Sequence, residues 1–253
     1  MNKAINYNEK QLVFVNYGRK ITTRPTERPS KANIHHLHKT ILKCSNKAKI
    51  ALCGASIING LQRYPDVWDN FFAPLVAINF GIGGDKVQNI LWRIEDMEFP
   101  PVEYLFLHCG TNNMRSSSPK DIADGILSIG VMAKKQQAEL KVVIGGLLHC
   151  DQDELPTRSI VAEANKILRR KVHNLDDFYF MEEDDDWLNG DGSLNMELYY
   201  EDCIHLNHNG NEKFANTIIR KLKDIESSSP SCSSGIILGI PSSEAPQKVT
   251  RGV

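Results

Sequence analysis

The amino-acid sequence predicts an α/β fold with a five-stranded parallel sheet and helices on both of its faces. From residue 47 onward, short apolar runs alternate with amphipathic segments, which is typical of repeated βαβ units. The run 102–109 is apolar at nearly every position, as expected for a strand that is buried on both sides. Right-handed crossovers then place the carboxyl ends of all strands on one rim of the sheet.

Each element follows from its local pattern. Strands are predicted, in chain order, over residues 49–53, 75–80, 102–109, 141–148 and, more weakly, 177–181. Helical spacing of apolar residues predicts helices around 68–72 and over 86–95, 119–138, 159–172 and 210–225. Residues 182–202 form a predicted acidic loop.

Charge and composition divide the chain into three parts. Residues 1–46 are predicted to be a basic N-terminal arm that is partly disordered, 47–225 the folded domain, and 226–253 a disordered Ser-rich tail. Residues 1–50 have a net charge of +9, whereas 51–225 have −10. A solvated arm is the favoured interpretation. Binding to nucleic acid, to an acidic membrane or to its own domain remains an alternative.

Composition also bounds the class of protein. No apolar run reaches the roughly 18 residues that a membrane span needs, and the first 17 residues do not have the pattern of a secretory signal. The six cysteines are scattered, and Cys53 and Cys109 fall in predicted buried strands, so reduced thiols in a cytoplasmic protein are expected. His35, His36 and His38 lack nearby Cys or carboxylate partners, so no metal site is expected.

Ser56 follows the first predicted strand and the strand-breaking Gly54. A serine at this rim can be an exposed nucleophile with free backbone N–H groups beside it. On this stretch alone, however, a serine that merely caps the next helix is the more common case.

Three later loops on the same rim change that balance. Gly83 and Gly84 follow the second strand, and their backbone N–H groups can approach a ligand closely because no Cβ intervenes. Asn112 follows the third strand and supplies an amide donor. Asp202 and His205 precede the last helix at a spacing that lets the carboxylate orient the imidazole. Together these loops predict a nucleophile, a base, its orienting acid and an oxyanion hole made by Ser56, Gly84 and Asn112.

Other nucleophile and nucleotide motifs are not found in the sequence. There is no G-x-S-x-G elbow and no Walker P-loop, and the glycines at 81, 83 and 84 do not have dinucleotide-binding spacing.

These blocks resemble the four conserved blocks of the SGNH (GDSL-type) hydrolases. The resemblance rests on Gly-Ala-Ser-Ile at 54–57, Asn-Phe-Gly-Ile-Gly-Gly-Asp at 79–85, Gly-Thr-Asn-Asn at 110–113 and Asp-Cys-Ile-His-Leu at 202–206. Residues 68–93 are similar nearly throughout to the intracellular platelet-activating-factor acetylhydrolase catalytic subunits. The resemblance covers roughly residues 47–225.

The resemblance implies a flavodoxin-like three-layer α/β/α sandwich and a serine esterase that needs no metal or other cofactor. It makes Ser56 the nucleophile and Asp202 and His205 the other triad members, with Gly84 and Asn112 as oxyanion donors. It also places Ile57, Thr111 and Ile204 in a small acyl pocket, which implies a small-molecule ester with an acetyl or similarly short acyl group. A homodimer is a further expectation, as is, more remotely, nucleic-acid contact through the arm.

One position departs from the family pattern. The first block usually reads Gly-Asp-Ser, and here Ala55 replaces the Asp whose hydrogen bonds support the loop. The alternative to an active esterase is therefore a catalytically weak or inactive binding or scaffold domain with the same fold.

Overall fold

The computed structural model of the protein describes residues 21–44, 48–97, 99, 101–151 and 157–228. Its strands form one sheet in the order β2-β1-β3-β4-β5, and every neighbouring pair is parallel. They are β1 (Ile50–Gly54), β2 (Ile78–Gly81), β3 (Tyr104–His108), β4 (Lys141–Gly145) and β5 (Phe178–Met181). The predicted α/β fold with five parallel strands is therefore confirmed.

The described α-helices are α1 (Ala32–Cys44), α2 (Ser56–Gly60), α3 (Pro65–Phe71), α4 (Val87–Asp96), α5 (Pro119–Gln136), α6 (Thr157–Val172) and α7 (His208–Ser228). Helices α3 to α7 agree with the sequence-based prediction to within a few residues, and α1 contains His35, His36 and His38, whose spacing is typical of a basic helix. The short α2 was not predicted. None of the helices in the described ranges is long and apolar enough to cross a membrane.

The sheet separates two apolar layers. Alternate strand residues point to opposite faces, so Leu105 and Leu107 belong to one core cluster and Tyr104 and Phe106 to the other. The first cluster takes its helical residues from α4, α5 and α6, and the second from α2, α3 and α7. Coverage of both faces keeps the strands rigid and fixes the loops at their carboxyl ends.

The preference for a solvated arm is wrong for the part of the arm that the structure describes. Thr22 and Thr23 are buried, and Gly125 of α5 lets them approach, since a Cβ there would lie 2.8 Å from the Thr22 carbonyl oxygen. His38 of α1 is buried edge-on against Phe80, and desolvation lowers its pKa to about 4. Buried neutral side chains such as Thr22, Thr23 and His38 therefore contribute to the packing of the arm, in addition to its ion pairs with the domain.

Two of the three arm histidines, His35 and His38, have side-chain contacts with the domain. His35 Nε2 lies 2.8 Å from Asp96 Oδ2, and its ring lies against Trp92. Within the described ranges, no three or more His, Cys, Asp or Glu side chains are grouped so that they could hold a metal ion. Two short sequence features, the strand-like run at 12–15 and the apolar stretch at 236–238, lie outside the described residues.

Candidate active site

Ser56 is the first residue of α2, directly after the turn that ends β1. Ala55, not Ser56, holds the N-cap position, and it makes no side-chain hydrogen bond to the helix. The capping interpretation of Ser56 is therefore wrong. As the first helical residue, Ser56 has a backbone N–H without an acceptor inside the helix, which leaves that N–H available to a ligand.

The loop after β2, residues 82–85, lies beside Ser56 and is called the oxyanion loop below. A β-carbon built on Gly83 would lie 4.0 Å from Ser56 Cβ, which measures how closely the two segments approach. Gly84 has a φ of +79°, a conformation that side chains disfavour, so the turn requires glycine there. The loop is closed by hydrogen bonds from Ile82 N to Gly54 O and from Asp85 N to Ile82 O, both 3.1 Å.

Asn112 lies in a 3₁₀ turn after β3, and its amide is held by the oxyanion loop. Asn112 Nδ2 donates to the backbone carbonyl of Asp85 at 2.9 Å. Because an amide nitrogen carries two hydrogens, one remains for a ligand. The neighbouring Asn113 is fully buried and accepts a hydrogen bond from Val87 N, which fixes the turn against the start of α4.

Asp202 and His205 form a pair within a tight loop before α7. Asp202 Oδ2 lies 2.6 Å from His205 Nδ1, and Oδ1 accepts the backbone N–H groups of Ile204 and His205. Partial burial alone would raise the pKa of Asp202, but the hydrogen bonds from His205 and Ile204 outweigh it and lower the pKa. A carboxylate that stays ionised can hold the imidazole in one orientation with Nε2 directed away from it.

These four segments meet at one open cavity of about 440 Å³. The sequence-predicted residues that line it are Ser56, Gly84, Thr111, Asn112, Asp202, Ile204 and His205. Ile57, predicted to border the acyl group, is buried in the apolar core instead and is not among the lining residues of this cavity.

Ser56 and His205 face the same cavity, but the described residues show no hydrogen bond between them. Catalytic hydrogen bonds are often long in an unliganded enzyme and shorten once substrate is bound. The four loops predict that Ser56 Oγ and His205 Nε2 lie within about 4 Å of each other, allowing for a looser geometry before substrate binds.

Three residues at or beside the site were not found from the sequence. Arg115 and Asp151 also line the cavity, and Arg28 of the arm contacts the oxyanion loop, with its guanidinium Nη1 2.9 Å from Gly83 O. Arg115 and Asp151 lie six and three residues, respectively, after the ends of predicted strands, so their position on the shared rim could have indicated them. No local pattern marks Arg28.

By sequence, the chain is similar to acetylhydrolase subunits. Platelet-activating factor acetylhydrolase IB subunit alpha2 from Homo sapiens is 28% identical over 179 residues, which cover 70% of this chain and 77% of that protein. Subunit alpha1 from Rattus norvegicus is 29% identical over 180 residues, covering 70% and 76%. No family model matches the sequence.

Solved structures of low sequence identity have the same fold. A GDSL-like lipase from Bacteroides thetaiotaomicron superposes with a TM-score of 0.59 at 18% identity, covering 85% of this chain and 99% of that one. A carbohydrate esterase family 3 protein from Talaromyces cellulolyticus gives a TM-score of 0.56 at 15% identity, covering 72% and 99%.

Proposed function

We propose, from the premise that this chain belongs to the SGNH (GDSL-type) hydrolase family, that it is a serine esterase that hydrolyses small acyl esters. One observation carries the proposal. Ser56, the oxyanion loop, Asn112 and the hydrogen-bonded Asp202–His205 pair, although far apart in sequence, all border one cavity.

The proposed reaction proceeds through an acyl-enzyme. Ser56 Oγ attacks the ester carbonyl carbon while His205 Nε2 accepts the hydroxyl proton, and Asp202 stabilises the charged imidazole. The resulting oxyanion is bound by the N–H groups of Ser56 and Gly84 and by the Asn112 amide.

Collapse of this tetrahedral intermediate breaks the ester C–O bond, and His205 passes its proton to the departing alcohol. Water then attacks the acyl-Ser56 carbonyl with His205 as base, which releases the carboxylic acid and restores the Ser56 hydroxyl. The bonds formed and broken balance without a metal or another cofactor.

The acyl group is proposed to be acetyl or of similar size. Thr111 and Ile204 both line the cavity. In the sequence, Thr111 directly precedes Asn112 and Ile204 directly precedes His205. In this proposal the two side chains border the acyl group and limit its length. The buried free thiols of Cys53 and Cys109 are compatible with our further proposal of a cytoplasmic location.

A series of p-nitrophenyl esters from acetate to octanoate tests the proposal. The wild type should hydrolyse the acetate with the highest kcat/KM, and Ser56→Ala should reduce the rate to the background. Equal turnover by wild type and Ser56→Ala would contradict the assignment of the nucleophile, and a preference for octanoate would contradict the short acyl site.

Ala55 favours a second candidate, an SGNH-fold binding or scaffold domain without turnover. It is buried at the turn between β1 and Ser56 and offers no polar side-chain atom to support that turn. A fluorophosphonate probe distinguishes the two candidates, because it labels only a nucleophile that the site activates. Labelling of wild-type Ser56 supports the esterase. Labelling of Ala55→Asp but not of wild type would support a disarmed site.

A further inference from the structure

The Gly83–Gly84 peptide bond carries one of the proposed oxyanion donors. In a planar trans peptide, the Gly83 carbonyl and the Gly84 N–H point to opposite sides. Arg28 Nη1 donates a hydrogen bond to the Gly83 carbonyl oxygen at 2.9 Å. The arm therefore holds one side of this peptide, and the N–H that the mechanism needs projects from the other side.

This peptide has little intrinsic reason to keep that orientation. Glycine stands on both sides of it, and glycine populates positive and negative φ about equally, so rotation of the peptide plane meets little steric resistance. A flipped peptide would present its carbonyl oxygen, instead of its N–H, to the developing oxyanion. Two negative oxygens would then face each other, and the donor would be lost.

Arg28 holds the loop at more than one point. Its Nη1 is also 3.0 Å from Asp85 Oδ1, and its guanidinium lies against Gly84, where an added Cβ would be 3.0 Å from Nη2. Asp85 is almost fully buried, at 1% side-chain exposure, so this contact is poorly screened by water. Arg93 binds the other carboxylate oxygen, with its Nε 2.9 Å from Asp85 Oδ2.

The arm itself is fastened beside the loop. Thr26 N donates to the Gln88 carbonyl at 3.0 Å, and Asn89 Nδ2 donates to the Thr26 carbonyl at 2.9 Å. Two residues before Arg28, the backbone is thus tied to the first turns of α4. Because this part of the backbone is already held in place, less conformational entropy is lost when the Arg28 guanidinium binds the loop.

We propose that Arg28 is a positioning residue that keeps the Gly83–Gly84 peptide in its oxyanion-binding orientation. The inference rests on the proposed esterase function and adds a residue from the N-terminal arm to its site. Ala55 makes this contact more important, because the first loop lacks the carboxylate that usually supports it. The oxyanion hole then depends on support from the arm.

The test compares Arg28→Gln and Arg28→Lys with Arg24→Gln on p-nitrophenyl acetate. Arg24 is exposed and has no side-chain partner in the described part of the chain, so its substitution removes the same charge without touching the loop. Loss of a whole oxyanion donor costs about 100- to 1000-fold in kcat elsewhere, so a misoriented one should cost about 10- to 100-fold. We expect that loss in Arg28→Gln, a smaller loss in Arg28→Lys, and KM within about threefold of wild type.

A merely structural role is excluded by a second measurement. Affinity for a trifluoromethyl ketone, whose adduct with Ser56 carries the oxyanion, should fall in Arg28→Gln by the same factor as kcat/KM. Binding of the acetate product should stay unchanged. Unchanged kcat in Arg28→Gln, or an equal loss in Arg24→Gln, would overturn the proposal and leave the esterase assignment intact.

Failure of the esterase assignment is recognised separately, either as no turnover in the wild type or as turnover that does not depend on Ser56. In that case the crystal structure of Arg28→Gln decides the matter. A flipped or mobile Gly83–Gly84 peptide would support the role of Arg28, and an unchanged peptide would overturn it.

Discussion

Ile204 lies between the two members of the Asp202–His205 pair and directly precedes the proposed base. It is half-buried, lines the cavity and packs against the core cluster on that side of the sheet. Its backbone N–H donates to Asp202 Oδ1 at 3.0 Å, and a substitution that keeps the backbone keeps that bond. The side chain can therefore be shortened without dismantling the pair.

Ile204→Ala should change acyl-chain preference more than overall rate. Removing three carbons enlarges the acyl site, and each methylene in such a pocket changes discrimination by about 10- to 200-fold at most. We expect the octanoate-to-acetate ratio of kcat/KM to rise about tenfold. Val76→Ala, which shortens an exposed apolar side chain away from the cavity, should leave the ratio unchanged. An unaltered ratio in Ile204→Ala would remove Ile204 from the acyl site.

The ends of β4 and β5 carry a second pair of titratable groups, which the proposed mechanism does not use. His149 Nε2 lies 3.9 Å from Glu183 Oε2, and both side chains are mostly buried. Burial raises the pKa of Glu183 to about 7 against a hydrogen bond from Asn165, which lowers it. Burial has the opposite effect on the imidazole of His149 and lowers its pKa, because the charged form is again the one that burial disfavours. The protein thus tends to keep both groups neutral.

Glu183 should make stability fall as pH rises. Between its ordinary pKa of 4.5 and its folded pKa of about 7, the unfolded chain has lost the carboxyl proton while the folded chain retains it. The free energy of unfolding therefore decreases as pH rises across that window, by about 3 kcal/mol at most once pH exceeds 7. The Tm of Glu183→Gln relative to wild type should therefore increase from pH 5 to pH 8.

The control for this comparison is Glu212→Gln, which changes an exposed carboxylate on α7. Its Tm difference from wild type should be small at both pH values. Because His149 is present in all three proteins, its own titration largely cancels in the differences. A Glu183→Gln difference that does not vary with pH would show that the carboxyl group is not held neutral.

At the scale of elements, the sheet was predictable because burial on both faces leaves continuous apolar runs. The ends of the strands were harder to predict. Residues 102–109 are apolar nearly throughout, yet β3 covers only Tyr104–His108, because the apolar run continues beyond the hydrogen-bonded part of the strand. The four site loops were predictable from the rim rule and from their residue types. Ile57, which the resemblance places in the acyl pocket, does not line the cavity, because a position next to Ser56 in the sequence does not say which way the side chain points.

Arg28 could not be predicted, for a physical reason. It precedes Pro29 in a segment with the composition of a linker, and its partner Asp85 is 57 residues away in sequence. No periodicity links the two. The net charges of arm and domain indicate attraction between them, but they do not identify the contact.

For the whole molecule, the packed arm alters what truncation should do. We expect a form that starts at residue 47 to remain folded but to melt roughly 5 to 10 °C below a form that starts at residue 21. The difference isolates residues 21–46, which supply buried Thr22, Thr23 and His38 and the ion pairs of Arg28 and Lys39. Differential scanning calorimetry of the two forms makes the comparison. Equal melting temperatures would mean that the arm does not pack on the domain in solution.

The central claim is that Ser56, activated from across the cavity by His205, forms an acyl-enzyme. Mass spectrometry of protein quenched in acid during turnover of p-nitrophenyl acetate tests it most directly. We expect a mass increase of one acetyl group on the peptide that carries Ser56, absent from Ser56→Ala and much reduced in His205→Ala. Acetylation at another residue, or hydrolysis that continues in Ser56→Ala without any acylated peptide, would contradict it.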